Sequence, residues 1–336
     1  MAQSPFEIVE VRADDPAAID AAFEIGNDAL RVDLPDLPEN CRYQHDMSFT
    51  VPPPWDERHV FLAMDGDVPA GTVKLDLPRH DNLDKAHVEV RVRPAHRRRG
   101  IGRALYRHAA GVARTAGRTS LLGFSASRPA PRGFAEAFGA SNGLTEARRR
   151  LLLAGLDEGA VDRLYTDGLA RSGGYAVVQW CNEPPEEYLE DLAALDSSFL
   201  VEAPTGEIDY EPQKVDAERL RRQHEVFTRW GFRAYQTGMV HEATGRLVAW
   251  TAMRVTKSVD WHASQMITLV HPAHRGRRLG VVAKVTNLRF LRAQEPAVTT
   301  IDTFNAVENS YMIAINEAMG FRFAELWSNW QGPAPE

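Results

Sequence analysis

Two eleven-residue segments of this chain, VRPAHRRRGIG at 92–102 and VHPAHRGRRLG at 270–280, are identical at seven positions, with a constant offset of 178 residues. That period is far above the roughly 20–50 residues of a solenoid repeat, so it marks the duplication of a whole domain. The chain length agrees: 336 residues at roughly 100–200 per domain make about two domains.

The features around the repeat recur in the same order. Residues 6–11 and 175–180 are apolar-rich runs suited to strands. Each is followed by an Asp/Pro or Asn/Pro cap signal and a helical stretch, near 15–25 and 184–195. A hairpin pattern precedes each repeat segment, turning at Asp65-Gly66 in the first half and near Thr244-Gly245 in the second. A helix is expected after each closing glycine, and in the second half Val281, Val282, Val285, Leu288 and Leu291 fall on one face of it. Similar hexamers, FAEAFG at 134–139 and INEAMG at 315–320, close the two halves. The expectation is an α/β chain with an α+β mixed sheet in each half. Strand–helix–strand–strand–helix–strand–helix–strand occurs twice, in domains 1–170 and 171–336 with a boundary around 157–173.

Composition narrows the function classes. Hydrophobic residues make up 44% and charged residues 25%, ordinary values for a globular protein. Lys+Arg 39 against Asp+Glu 46 leaves a charge of −7, which disfavours a strongly cationic nucleic-acid binder. No apolar run approaches the ~18–20 residues that span a bilayer. The opening MAQSPFEIVEVRADD has neither the basic nor the apolar region of a signal peptide. A cytoplasmic protein with no membrane partner is therefore expected. Cys41 and Cys181 form no CxxC pair, and no metal-ligand spacing stands out, so no metal is expected.

The strand-to-helix turn carries the chemistry. Residues 88–92 alternate apolar and charged, as a strand does. Arg97, Arg98, Arg99, Gly100, Ile101 and Gly102 then open a helix, with Arg103 following. Backbone N–H groups at a helix N-terminus, with glycines allowing close approach, bind phosphate, and arginines add charge-assisted hydrogen bonds. A pyrophosphate-bearing cofactor is implied. The dinucleotide pattern G-x-G-x-x-G is absent from both copies; a surface turn with solvated arginines is the plainer reading.

The Arg-x-x-Gly-x-Gly turn, the Val-x-Pro-x-His before it and the later Gly-Phe segment resemble the GCN5-related N-acetyltransferase (GNAT) family. The run HRGRRLG at 274–280, Asp302-Thr303-Phe304-Asn305 and the series Asn309, Met312, Asn316, Gly320-Phe321 are similar to tandem-domain members of actinomycete type. The resemblance implies two tandem GNAT domains, acetyl-CoA or another acyl-CoA as donor, and a small-molecule amine that attacks it directly. It also implies that the strand before each turn splays from its neighbour. The backbone at Val90, Arg91 and Val92, and at Leu269 and Val270, would then hold thioester and pantetheine. The first turn, with Arg275, Gly276, Arg277, Arg278, Leu279 and Gly280 in the second, would hold the pyrophosphate.

Both copies depart from the family pattern. Where a tyrosine general acid often stands, four residues before the glycine of Gly-Phe, the first copy has Ala135 and the second Asn316. Ala140 replaces the phenylalanine in the first copy, and Arg278 occupies the place of a turn glycine in the second. An arginine is sterically hard to place there if φ is positive, with Gly276 available to supply the flexibility instead. Glu89, on the strand beside the first turn, is a candidate base, set against a solvent-facing strand carboxylate. Tyr311 is a candidate proton donor to the thiolate, set against a packing residue. Asn305 and Asn309 either contact pantetheine or cap a helix, and His96 and His274 read as turn residues. Gln265 and Thr268 orient or hydrogen-bond. In the acidic run EAPTGEIDYE, Glu202, Glu207 and Asp209 either attract a cationic amine or form a solvated loop. Two other functions are carried alongside: an acyl-CoA- or metabolite-binding protein without catalysis, and an aminoacyl-tRNA donor held by Arg97, Arg98, Arg99, Arg103 and Arg107. Monomer and homodimer are both compatible with two fused copies.

Overall fold

A computed structural model describes residues 6–199 and 204–334. Its first set of elements is β1 (Glu7–Glu10), α1 (Pro16–Asp33), α2 (Arg42–Thr50), β2 (Asp56–Asp65), β3 (Val68–Pro78), β4 (Lys85–Val92), α3 (Ile101–Thr115), β5 (Ser120–Ala126) and α4 (Pro129–Glu136). The second is β6 (Ser141–Leu152), α5 (Glu158–Leu169), β7 (Tyr175–Cys181), α6 (Leu189–Ser197), α7 (Ala217–Arg229), β8 (Phe232–His241), β9 (Arg246–Thr256), β10 (Val259–Val270), α8 (Leu279–Gln294), β11 (Thr300–Ala306), α9 (Ser310–Ala318) and β12 (Arg322–Pro333). The chain is a mixed α/β protein, as its periodicities predict.

Two compact units are present. Unit 1 comprises the described residues up to Leu144 and those from Ser328 onward; unit 2 is Thr145–Trp327. β6 and β12 are each divided between them, so the units do not coincide with the sequence halves. The expected boundary segment 157–173 is mostly helix. Asp157 caps α5 by accepting from Ala160 N–H, and Val161, Leu164 and Tyr165 enter the core of unit 2.

The same pairing programme builds both units. In unit 1, β1–β2, β2–β3 and β3–β4 are antiparallel and β4–β5 is parallel. In unit 2, β7–β8, β8–β9 and β9–β10 are antiparallel, β10–β11 is parallel, and β6 adds antiparallel to β11. A parallel step needs a helical crossover, which α3 and α8 provide. Ile101, Leu105, Ala109 and Ala113 of α3 bury against Val73, Leu75 and Ala86. Val281, Val285, Leu288 and Leu291 of α8 bury against Met253, Val255 and Ala263. Each fully buried Leu or Val contributes roughly 1.5–3 kcal/mol, which fixes the two crossover helices on their sheets. No helix of the described residues is long and apolar enough to cross a membrane.

Candidate functional site

The parallel pairs are where both units open. β4 pairs with β5 only from Lys85–Ser120 to His87–Leu122, although β4 runs on to Val92. β10 pairs with β11 only from His262–Thr300 to Gln265–Thr303, although β10 runs on to Val270. Residues 88–92 and 266–270 therefore diverge from their parallel neighbours and leave one backbone edge unpaired on that side. Such an edge offers N–H and C=O groups to an extended amide-bearing ligand. The copies differ in one detail. β4 keeps an unbroken register with β3, whereas β10 bulges against β9 between Gln265 and Thr268. The Gln265 side-chain amide braces the bulge, donating to Ala252 O at 2.9 Å and Ile267 O at 3.1 Å. Thr251 also donates to Ile267 O, at 2.9 Å.

Each open edge ends in the same turn. Arg98 and Gly100 have φ of 63° and 93°, and Gly276 and Arg278 have φ of 80° and 61°. Both left-handed positions thus hold one glycine and one arginine across the two copies, in reciprocal order. Gly276 does not relieve Arg278 of its positive φ; both positions take it, and a left-handed arginine costs roughly 1–2 kcal/mol. Ile101 and Leu279 are buried and offer only backbone to the turn. A Cβ at Gly102 would lie 3.4 Å from Phe134 and 3.5 Å from Val92, and one at Gly280 would lie 3.4 Å from Val270. Glycine at these positions lets the first helical turn sit close against the end of the strand. The helix N-terminus, with its free N–H groups and positive dipole, is presented beside the open edge.

The charge around the two turns differs. In unit 1, Arg97 makes two 2.7 Å hydrogen bonds to Asp33 and donates from Nε to Val92 O at 3.1 Å. Arg99 pairs with Asp65 at 2.6 Å, His96 meets the same carboxylate at 3.1 Å, and Arg93 pairs with Asp28. Arg98 and Arg103 remain exposed. In unit 2, Arg275 repeats the bond to the strand end, donating to Val270 O at 3.2 Å. Among the described residues, no carboxylate pairs with Arg277 or Arg278; Arg277 stands 5.9 Å over the Tyr175 ring. His241, His271 and His274 gather there, with His274 centred 5.0 Å from His241 and 5.5 Å from His271. The Tyr175 hydroxyl bonds His274 Nδ1 at 2.8 Å. Burial and then these neighbouring rings pull the His274 imidazole below its ordinary range.

The other sequence candidates fall at separate places. Glu89 lies between Lys74 Nζ and Arg91 Nη2, each at 2.8 Å. Lys74 foremost, and then Arg91, hold its carboxyl well below the usual carboxylate range, so it is a charge partner of low basicity. Tyr311 is 64% exposed on the first turn of α9, and its hydroxyl makes no hydrogen bond among the described residues. Asn309 caps α9, accepting from Met312 N–H at 3.2 Å, and Asn305 accepts from Asn316 Nδ2 at 2.7 Å. Glu207 and Asp209 are exposed on either side of buried Ile208, and Glu202 lies outside the described residues. Of the five arginines considered for RNA, Arg97 and Arg99 are paired to Asp33 and Asp65, while Arg98, Arg103 and Arg107 are exposed.

A second polar set in unit 2 joins Asn316, which the sequence singled out at the usual tyrosine position, to Arg149 and Lys284, which it did not; all three are buried. A lysine inside the run Val281, Val282, Ala283, Lys284, Val285 was the available signal, since lysine is almost never fully buried unpaired.

The Acetyltransferase (GNAT) family model matches residues 27–140. No curated protein matches the sequence. Among solved structures, a tandem GNAT protein from the clavulanic acid biosynthesis pathway is 30% identical, with a TM-score of 0.82, over 98% of this chain and 99% of that one. A GCN5-related glucosamine N-acetyltransferase region of a fungal multi-domain GH3 β-N-acetylglucosaminidase superposes with a TM-score of 0.68 at 15% identity, over 98% of this chain and 38% of that one. A GCN5-related N-acetyltransferase from Sphaerobacter thermophilus gives 0.63 at 14% identity, over 98% of this chain and 96% of that one. At those last two identities the likeness is one of fold.

Proposed function

The chain belongs to the GNAT acetyltransferase family as a tandem member, and from that premise we propose that it transfers an acyl group, acetyl foremost, from acyl-CoA to the amine of a small molecule. The observation that carries the reading is the open strand edge leading into a left-handed turn and a helix N-terminus, present once in each unit. The turn N–H groups of 98–102 and 276–280 suit a pyrophosphate. The free edges at Val90, Arg91, Val92 and at Leu269, Val270 suit the amides of a pantetheine arm. When bound, acyl-CoA supplies an activated thioester. The protein's part is then to hold it extended and to admit a neutral amine. Glu207 and Asp209 favour a cationic amine in the surrounding field.

Proton handling in this reading falls mainly to water. Glu89 is held ionised by Lys74 and Arg91, and Ala135 and Asn316 stand where a phenol would donate. The test is thiol release from acetyl-CoA against a panel of amines, over a range of pH. Release with at least one amine is expected, rising with pH as that amine loses its proton. The second reading, donor binding without turnover, is favoured by Ala135 and Asn316; CoA binding with no release from any amine would select it.

A further inference from the structure

Unit 1 fills the space between α3 and the segment after β5 with aromatic rings: Tyr106, Phe134 and Phe138 have centroids 4.1–5.8 Å apart. In unit 2 the places of Phe134 and Phe138 are taken by buried Ile315 and Met319, but polar side chains enter the same space at two other positions. Lys284, 178 residues after Tyr106, is 1% exposed; its Nζ sits 5.9 Å from the Phe321 ring, with no hydrogen bond or ion pair among the described residues. Asn316, in the place of Ala135, is fully buried. Its Nδ2 donates to Asn305, while its Oδ1 has no partner.

Arg149 belongs to the same interior. It sits on β6 opposite Thr303 of β11, which sits opposite Gln265 of β10, the last paired row before the strands diverge. All three are buried, and they face the side where Leu151 and Ile301 meet α8 and α9. Arg149 Nε and Nη1 have no hydrogen-bond partner, and the Arg149 ion pair is a 3.7 Å approach to the half-exposed Glu317 of α9. Gln265 Oε1 is likewise buried and unpartnered.

Two buried cations and two buried amide oxygens without hydrogen-bond partners are rare in a folded interior, because each forfeits its hydration. Tyr106 and Ala135 of unit 1 stand where unit 2 has Lys284 and Asn316, so the fold itself requires neither a buried cation nor a buried amide at those two positions. We infer that this interior of unit 2 is a subsite for a carboxylate-bearing ligand group, bound by Arg149 and Lys284, with the oxygens of Gln265 and Asn316 accepting from an N–H or O–H beside that carboxylate. The carboxylate comes either from the acyl chain or from the acceptor; only the first case rests on the acyl-CoA reading. Burial draws the Lys284 ammonium down to about 7, so affinity for the carboxylate falls as pH rises above neutrality.

Paired probes test this by calorimetry. Succinyl-CoA and butyryl-CoA share a four-carbon chain and differ in the terminal carboxylate; γ-aminobutyrate and butylamine, titrated in the presence of CoA, make the same comparison for the acceptor. The wild-type protein should favour the carboxylate member of one pair at least tenfold. Arg149→Met should fold with unchanged or higher Tm, since it removes a poorly paired buried charge, and should abolish the preference; Lys284→Met should weaken it. No preference in either pair overturns the proposal, as does a preference that survives both substitutions. The wild-type comparison decides even where a variant fails to fold. Butyryl-CoA binding without any carboxylate preference sinks the subsite and leaves the donor reading standing. A γ-aminobutyrate preference with no binding of any CoA ester does the reverse.

Discussion

Arg278 concentrates what the residue scale contributes. It takes φ 61° and ψ 14° at the N-cap of α8, in a place where unit 1 uses Gly100. The turn geometry is therefore stronger than the local preference of the residue, and the strain is retained where a cation faces the helix N-terminus. Arg278→Gly should stabilise the protein by roughly 0.5–1 kcal/mol in denaturant unfolding, the left-handed penalty less the added freedom of glycine in the unfolded chain. The phosphate chemistry of the turn was legible in the sequence because it is local: glycine, arginine and helix start are contiguous. Glu89 was not legible in the same way. Its basicity depends on Lys74, fifteen positions away, which faces it only through the β3–β4 register. Asn309 shows the opposite case, since capping is a short-range role and the structure has it capping α9.

At the scale of elements, one buried carboxylate ties three strands of unit 2 together. Asp302 of β11 accepts from Arg150 of β6 at 2.7 Å, meets His262 Nε2 of β10 at 3.0 Å, and lies 3.3 Å from Arg148. Burial opposes its charge, but the hydrogen bonds from Arg150 and His262 prevail and hold it at about 2. A carboxyl depressed in the folded state stabilises above its unfolded pKa and loses that contribution as pH falls through the folded value. Thermal melts should therefore show unit 2 weakening between pH of about 4 and about 2. Asp302→Asn should flatten that limb and, at neutral pH, cost roughly 3–5 kcal/mol by taking the shared carboxylate from buried Arg148 and part-buried Arg150. An acid limb unchanged in the variant would assign the loss to other groups. Strand and helix order was readable from hydrophobic period and turn residues. The bulge in β10 and the early end of the β10–β11 ladder were not, because both are set by partners distant in sequence.

For the whole molecule, the repeat at offset 178 counted the domains and named the element shared by both. It did not reveal how the chain is apportioned. β6 follows the first copy in sequence, yet from Thr145 on it belongs to unit 2, where it pairs with β11; the end of β12 belongs to unit 1. Pairing between strands so far apart leaves no trace in local periodicity. Net charge was equally coarse. The −7 of the chain conceals two unlike turns, one whose arginines are partly neutralised by Asp28, Asp33 and Asp65, the other carrying Arg277, Arg278 and three histidines. The unit 2 turn should therefore hold a phosphate-bearing donor more tightly. Native mass spectrometry of the protein titrated with CoA shows whether these turns bind the donor. The wild type should carry CoA, with Gly280→Glu lowering occupancy more than Gly102→Glu and the double variant carrying none; a wild type that never acquires CoA, or a double variant that still does, would contradict donor binding by these turns.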